Sequence, residues 1–301
     1  MLQEANRDRS YLKPDRSNNT SMQEDTFIKK FCESPLLISG ISGGGKILWN
    51  YDNNLAFGER GSHFFDFIGV LHILLVKNNK KKFYFSGGDL RNNLRVSKAL
   101  KVPCKRIDRP FYRDKYQSNI IDERCLDHLV NIPINGHARD LCFSMNEKSI
   151  TEQNGVPITA KKMGKLFDYP ECCIDWFYQS QWKDLEVAYN FHKAYYDPHT
   201  TTKEMVIQIQ LIAEDWGNVS ELVQKHKKIA LKNNLKAREK FPFVEHQTCD
   251  SCVDNRDTPT EKLNKIYAEF AEDKYPDLYN LVKSESKKEI REISQNWEDV
   301  P

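Results

Sequence analysis

The rhythm of apolar and polar positions changes near the middle of the chain. In the first half, short apolar runs alternate with turn residues. Pro35–Ser39 and Lys46–Trp49 read as two strands of a hairpin around Gly40–Gly45. Ser62 is placed to cap a helix whose Phe64, Ile68, Leu71 and Leu75 recur at helical spacing. Lys82–Phe85 has the look of a strand that runs into Ser86-Gly-Gly-Asp89 and then a helix carrying Leu90, Leu94 and Leu100. Strand, glycine turn and helix in that order predict a small α/β layer. Between Pro103 and Pro157 the periodicity weakens, and the pattern assigns no element there.

From Thr159 onward the pattern is almost entirely helical. Lys161–Phe167 is a short helical turn, and Pro170 suits the first position of a new helix over Pro170–Gln181 because its missing N–H is not needed there. Trp182–Tyr196, Lys203–Trp216 and Ser220–Lys240 are further amphipathic segments. Thr258-Pro259-Thr260-Glu261 is the clearest helix start, with Thr258 as N-cap, Pro259 at the first position and Glu261 completing a capping box. Leu263, Ile266, Tyr267 and Phe270 then form a core-facing stripe. The expected fold class is α+β or α/β: a small N-terminal α/β region followed by a mainly α-helical C-terminal metal-binding region. The expected boundaries are a flexible arm over 1–25, the α/β domain over 26–158, the helical cysteine domain over 159–283 and a charged tail over 284–301. No repeat of solenoid period is visible.

Composition changes this picture little. With 39% hydrophobic and 29% charged residues, 301 residues suffice for one large or two ordinary domains under a very polar surface. A net charge of +2 does not by itself imply nucleic acid. The basic runs Lys77–Lys82 and Lys225–Lys240 are expected to be solvated faces or turns. The first residues lack the apolar core of a secretory signal, and the apolar stretch Phe64–Val76 is short and interrupted by Asp66 and His72. A soluble, cytoplasmic protein with no membrane segment is therefore expected. In that compartment thiols stay reduced, so clustered cysteines point to metal or catalysis before disulfides.

Eight cysteines are present, and two segments concentrate four of them. One is Asp168-Tyr-Pro-Glu-Cys-Cys-Ile-Asp-Trp-Phe177; the other contains His246-x-x-Cys249-x-x-Cys252. A Cys-x-x-Cys turn lets two thiolates converge on one ion. Cys172 and Cys173 would sit in a first helical turn, where free N–H groups and the helix dipole favour thiolate. Neighbouring helical side chains diverge by roughly 100°, which favours an iron–sulfur cluster such as [4Fe–4S] over one zinc ion for the tandem pair. The candidate metal ligands are Cys172, Cys173, Cys249, Cys252 and His246, with His246 and Glu171 as candidate acid–base groups. Glu245 and Asp175 stand beside them. Cys32, Cys104, Cys125 and Cys142 share no useful spacing and are expected to be structural.

The block Gly164-Lys-Leu-Phe-Asp-Tyr-Pro-Glu-Cys-Cys173, with the later His246–Cys252 block, resembles an uncharacterised, mainly archaeal family. That family pairs a Gly-Tyr-Pro-x-Cys-Cys block with a later His/Cys block. The resemblance covers Gly164 to Val282; here Asp168 replaces the family glycine, and the second block lacks a proline. It implies shared ligand residues and fold but names no reaction. Gly40–Lys46 matches a phosphate-loop spacing, but Ile47 follows where Ser or Thr is needed. Ser86–Asp89 and the polar stretch Asn131–Asp140 read as ordinary turns. The leading functional expectation is an iron–sulfur enzyme acting on a small-molecule substrate or modified biomolecule by lyase, sulfur-transfer or redox chemistry, served by an electron donor. The alternative is a zinc-stabilised non-catalytic module that binds RNA or protein.

Overall fold

The computed structural model describes residues 24–33, 36–39, 46–49, 63–64, 67–86, 90–133, 138–195, 200–214 and 235–298. The fold is mixed α+β with a helical C-terminal region. After α1 (Glu24–Glu33), strands β1 (Leu36–Ser39) and β2 (Lys46–Trp49) pair antiparallel, Leu36 opposite Trp49 and Ser39 opposite Lys46. These are the two strands of the expected hairpin, although Gly40–Gly45 itself lies outside the described residues. β3 (His63–Phe64) adds to β2 with Trp49 opposite His63. Phe64 is therefore in a strand, not in the helix expected from Ser62, because pairing with β2 takes the residues that precede the helical run. Ser62 lies outside the described residues.

α2 (Phe67–Lys77) is buried on every side from Phe67 to Val76, as its nearly unbroken apolar sequence dictates. Its end is set by Asn79, at φ 56°. Asn79 N–H bonds to the Val76 carbonyl and Lys80 N–H to the Leu75 carbonyl, the pair of bonds that closes a helix through one left-handed residue. The reversal sends Lys81 back over α2 and into β4 (Tyr84–Ser86). After α3 (Leu90–Leu100) come β5 (Cys104–Arg109), β6 (Phe111–Tyr112), α4 (Glu123–Asn131) and β7 (Ala138–Phe143). β7 is central in the antiparallel order β4-β7-β5, with Tyr84 and Cys104 both opposite Phe143. α5 (Glu147–Glu152) leads to β8 (Ile158–Thr159), which runs parallel to β6.

The C-terminal part comprises α6 (Ala160–Leu166), α7 (Glu171–Tyr195), α8 (Thr202–Glu214), α9 (235–240), α10 (Asp250–Asp254), α11 (Pro259–Lys274) and α12 (Pro276–Glu298). The two segments expected over Pro170–Tyr196 form one 25-residue helix, since no Gly or Pro occurs from Glu171 to Tyr195 to break it. The charged tail continues α12 as helix to Glu298.

One core joins the two halves. Phe27, Phe31, Leu71, Leu75 and Val102 pack in the same buried cluster as Phe241, Phe243, Tyr267, Ala271 and Val282. A second cluster binds α4 to α7 and α8 through Cys125, Leu129, Trp182, Leu185 and Val206. Among the described residues, no helix is long and apolar enough to cross a membrane.

Candidate metal centre

Three helix starts build the site. The first follows the α6–α7 turn. Tyr169 N–H bonds to the Gly164 carbonyl and Asp168 N–H to the Lys165 carbonyl, with Asp168 left-handed at φ 58°. These are the two bonds of a Schellman closure, and Asp168 fills the position that glycine usually takes. Gly164 is needed for a different reason: a Cβ there would lie 2.6 Å from Ile174 Cγ1, so α6 meets α7 too closely for any side chain. Cys173 and Ile174 N–H groups bond to the Pro170 carbonyl at 2.9 and 3.0 Å. Helix α7 thus opens one residue later than expected, and the tandem cysteines occupy the second and third positions of its first turn.

The second start is α10. Cys249 is its N-cap residue, and the Cys252 N–H bonds back to the Cys249 carbonyl at 3.0 Å. An N-cap side chain and the one three residues on face each other, the geometry that a capping box exploits. Here both are thiols, and the Cys249 sulfur is not engaged in capping. Lys240, at the end of α9, fastens the other end of this short helix. Its ammonium reaches the carbonyls of Cys252, Val253 and Asn255 at 3.3, 2.8 and 2.6 Å.

The four Sγ atoms of Cys172, Cys173, Cys249 and Cys252 lie within 4.8 Å of one another. Cys172 meets Cys252 at 3.6 Å, Cys173 meets Cys249 at 3.6 Å, and Cys173 meets Cys252 at 3.9 Å. The divergence of adjacent helical side chains does not separate the pair: Cys172 approaches from the exposed side and Cys173 from the buried side. All four are free thiols, placed so that they can hold a metal ion.

The third start is α11, capped as expected by Thr258, whose hydroxyl accepts the Glu261 N–H at 3.3 Å. Thr260 in its first turn is wholly buried, with its hydroxyl 3.2 Å from Cys173 Sγ and 3.3 Å from His246 Nε2. His246 therefore stands outside the four-sulfur group, bonded to the hydroxyl that supports one of its thiols. When Cys173 is a thiolate, the Thr260 O–H donates to sulfur and accepts from His246 Nε2–H, which fixes the imidazole tautomer.

Desolvation opposes the thiolate form at Cys172, Cys173 and Cys252. Cys173 is pushed up by desolvation, and Cys172 goes up to about 11 through desolvation and its sulfur neighbours. At Cys252 desolvation also pushes upward, but hydrogen bonds from Thr260, Cys249 and Cys172 outweigh it and bring the thiol down to about 7. A bound dication reverses the penalty, because it replaces the protons and pairs the charges. By contrast, burial pushes Cys32, Cys104 and Cys125 up to about 12, which keeps these thiols protonated at neutral pH.

Other candidates are placed less centrally. Glu171 is exposed and lies 3.9 Å from Lys165 Nζ, and Asp175 pairs with Lys161 at 2.8 Å. Residues 134–137 of the polar stretch, 87–89 of the glycine turn and most of the Lys225–Lys240 run lie outside the described residues. Sequence reasoning missed Thr260 and Lys240 as supports of the centre. Thr260 was visible inside the capping box; nothing in the spacing announces Lys240.

A comparison with protein-family models, curated proteins and solved structures finds no match for this chain.

Proposed function

We propose that this chain is a zinc–thiolate protein whose single ion is bound by Cys172, Cys173, Cys249 and Cys252 and is structural. The observation that supports the reading is the set of sulfur separations. A zinc–sulfur bond of about 2.3 Å gives a tetrahedron with edges of about 3.8 Å. The close contacts of 3.6, 3.6 and 3.9 Å fall on that edge. A [4Fe–4S] cluster is several ångströms across and needs its thiolates spread wider. Four protein thiolates leave no position for substrate, which is the mark of a structural zinc site. The ion's work is to tie the start of α7 to the α10–α11 pair.

The test is metal analysis after anaerobic purification, with a visible spectrum and an assay for acid-labile sulfide. The reading expects one zinc per chain, no colour and no sulfide. Cobalt substitution should then produce the visible bands of a tetrahedral thiolate site, lost in Cys249→Ala. Iron with matching sulfide would overturn it in favour of a second reading, the iron–sulfur enzyme. One observation favours that rival: Cys172 alone among the four is exposed, at the corner that a substrate would reach.

A further inference from the structure

A second group of titratable side chains lies beside the thiols, assembled from four separate parts of the chain. Lys81 is 4% exposed, and its Nζ lies 2.8 Å from His72 Nδ1 and 4.0 Å from Glu245 Oε2. His72 is fully buried and held neutral, first by desolvation and then by the Lys81 charge. Its Nε2 lies 3.3 Å from the Phe243 carbonyl, where Nε2–H donates, and its Nδ1, which accepts from Lys81, also faces Glu245 Oε2 at 3.2 Å. Glu245 keeps a third of its side chain in solvent and accepts a hydrogen bond from Tyr169. The rings of Phe167 and Tyr169 flank the amine at 5.7 and 5.4 Å. His246 stacks on Tyr169 at 4.8 Å, and its Nδ1 is buried with no partner among the described residues. Asp168 is exposed, and its charge acts on Lys81.

We propose that Lys81 is the nucleophilic amine of a second site, which condenses with a small neutral or cationic aldehyde or ketone. Three features carry this. A buried amine is kept unprotonated more readily than a solvated one, because the ammonium must be desolvated, so its lone pair is available for attack. The His72 acceptor holds one N–H and thereby orients the nitrogen. Glu245 and Asp168, the solvent-facing carboxylates that act on Lys81, repel anionic carbonyl compounds, which sets the charge class of the substrate.

The chemistry balances without an oxidant or reductant. The Nζ lone pair adds to the carbonyl carbon, forming the C–N bond while the oxygen takes up a proton. The nitrogen then loses its remaining protons as the oxygen departs as water, leaving an imine. Glu245 is the proton-carrying group at this step, and the Tyr169 hydroxyl that donates to it is a positioning group. None of these groups is one of the four thiols, so the step does not depend on which ion they would hold.

The experiment uses the metal-replete full chain, treated with propanal or glyoxylate together with cyanoborohydride, followed by peptide mapping. At about pH 7.5 an exposed lysine is almost wholly protonated, so Lys81 should be alkylated at least about tenfold faster than Lys265 or Lys288. Propanal should outpace glyoxylate, and the rate should reach half-maximum near pH 8, where burial places the Lys81 amine. Glu245→Gln should move that midpoint lower and weaken the preference for propanal, because the carboxylate both favours the ammonium and repels the anion. Lys81→Arg should keep the metal and lose the modified peptide. Alkylation of Lys81 no faster than of exposed lysines would overturn the proposal, as would a midpoint near theirs. Faster labelling by glyoxylate would overturn the substrate class. The wild-type map alone decides the matter if a variant fails to fold.

Discussion

The thiol centre and the Lys81 group lie side by side yet are built by opposite rules. Four thiols placed to hold a metal come from two short segments, each made convergent by its own helix start, so the geometry is local and the spacing announces it. Lys81, His72, Tyr169 and Glu245 come from four places, and only the packing of the shared core brings them together. With zinc bound as proposed, the first region would gain stability when charge enters it, since a dication would pair the thiolates. The second is destabilised by charge, since a buried ammonium must be desolvated. Two neighbouring polar clusters can thus respond to the same perturbation in opposite directions.

The sharpest way to break the comparison is to remove a ligand. Structural zinc contributes about 10 kcal/mol or more of apparent binding free energy in small domains. Cys252→Ala should therefore abolish stoichiometric metal and lower the thermal midpoint by far more than a substitution at Lys81, Gly164 or Asp168. Metal content and calorimetry on the purified variant check this. An unchanged midpoint would mean that the four sulfurs support nothing.

Lys81→Met should act in the other sense. Lys81 has its pKa lowered from 10.5 to about 8 by desolvation, offset in part by Glu245 and Asp168. The unfolded chain therefore binds more protons than the folded one between those values, and this residue's contribution to stability rises with pH across that window. Below about pH 8 both states are protonated and the full penalty, a few kcal/mol at most, is present. Tyrosines and other thiols titrate in the same range, so the informative quantity is the difference between wild type and variant. In urea titrations the variant should be the more stable protein near neutrality, less the cost of leaving His72 Nδ1 without a donor. That advantage should shrink as pH rises from 8 toward 10.

The contrast also explains what the sequence could and could not tell. The paired hairpin strands, the α11 cap and the two cysteine segments that cluster were legible because each depends on residues a few positions apart. β5 and β7 escaped because Lys105, Arg106, Arg139 and Asp140 break any apolar alternation; these strands are held by pairing with each other and by a few buried residues such as Ile107 and Phe143. Lys81 escaped for a subtler reason. It sits in a basic run whose neighbours Lys80 and Lys82 are exposed, and the expectation of a solvated turn fails at this one residue. The left-handed Asn79 turns the chain at that point, and no composition rule says which lysine the turn will bury. His246 was found by its spacing, but its place behind Thr260 depends on where α11 begins.

Gly164→Ala probes the frame on which both regions hang. The new methyl would meet Ile174 at 2.6 Å, and Ile174 is buried directly after the tandem cysteines. Overpacking of this kind costs about 1–3 kcal/mol. The strain should also displace the start of α7, weakening metal affinity as measured by competition with a chelator. Loss of stability with intact affinity would show that the turn and the thiols are uncoupled.

The smallest effect belongs to Asp168, and it separates backbone from charge. At φ 58° a glycine is freer than aspartate, so Asp168→Gly relieves strain worth about 1 kcal/mol at most, partly cancelled by the greater entropy of the unfolded glycine chain. The thiol centre, which depends on the turn alone, should keep its metal and gain slightly in thermal midpoint. The Lys81 group loses a carboxylate that favours its ammonium, so the amine should titrate lower than in the wild type. Asp168→Asn keeps much of the tolerance for a left-handed backbone and removes only the charge. It should reproduce the shift at Lys81 without the gain in midpoint. If both variants instead left the Lys81 titration unmoved, Asp168 would belong to the turn only, and the boundary between the two regions would fall at Tyr169.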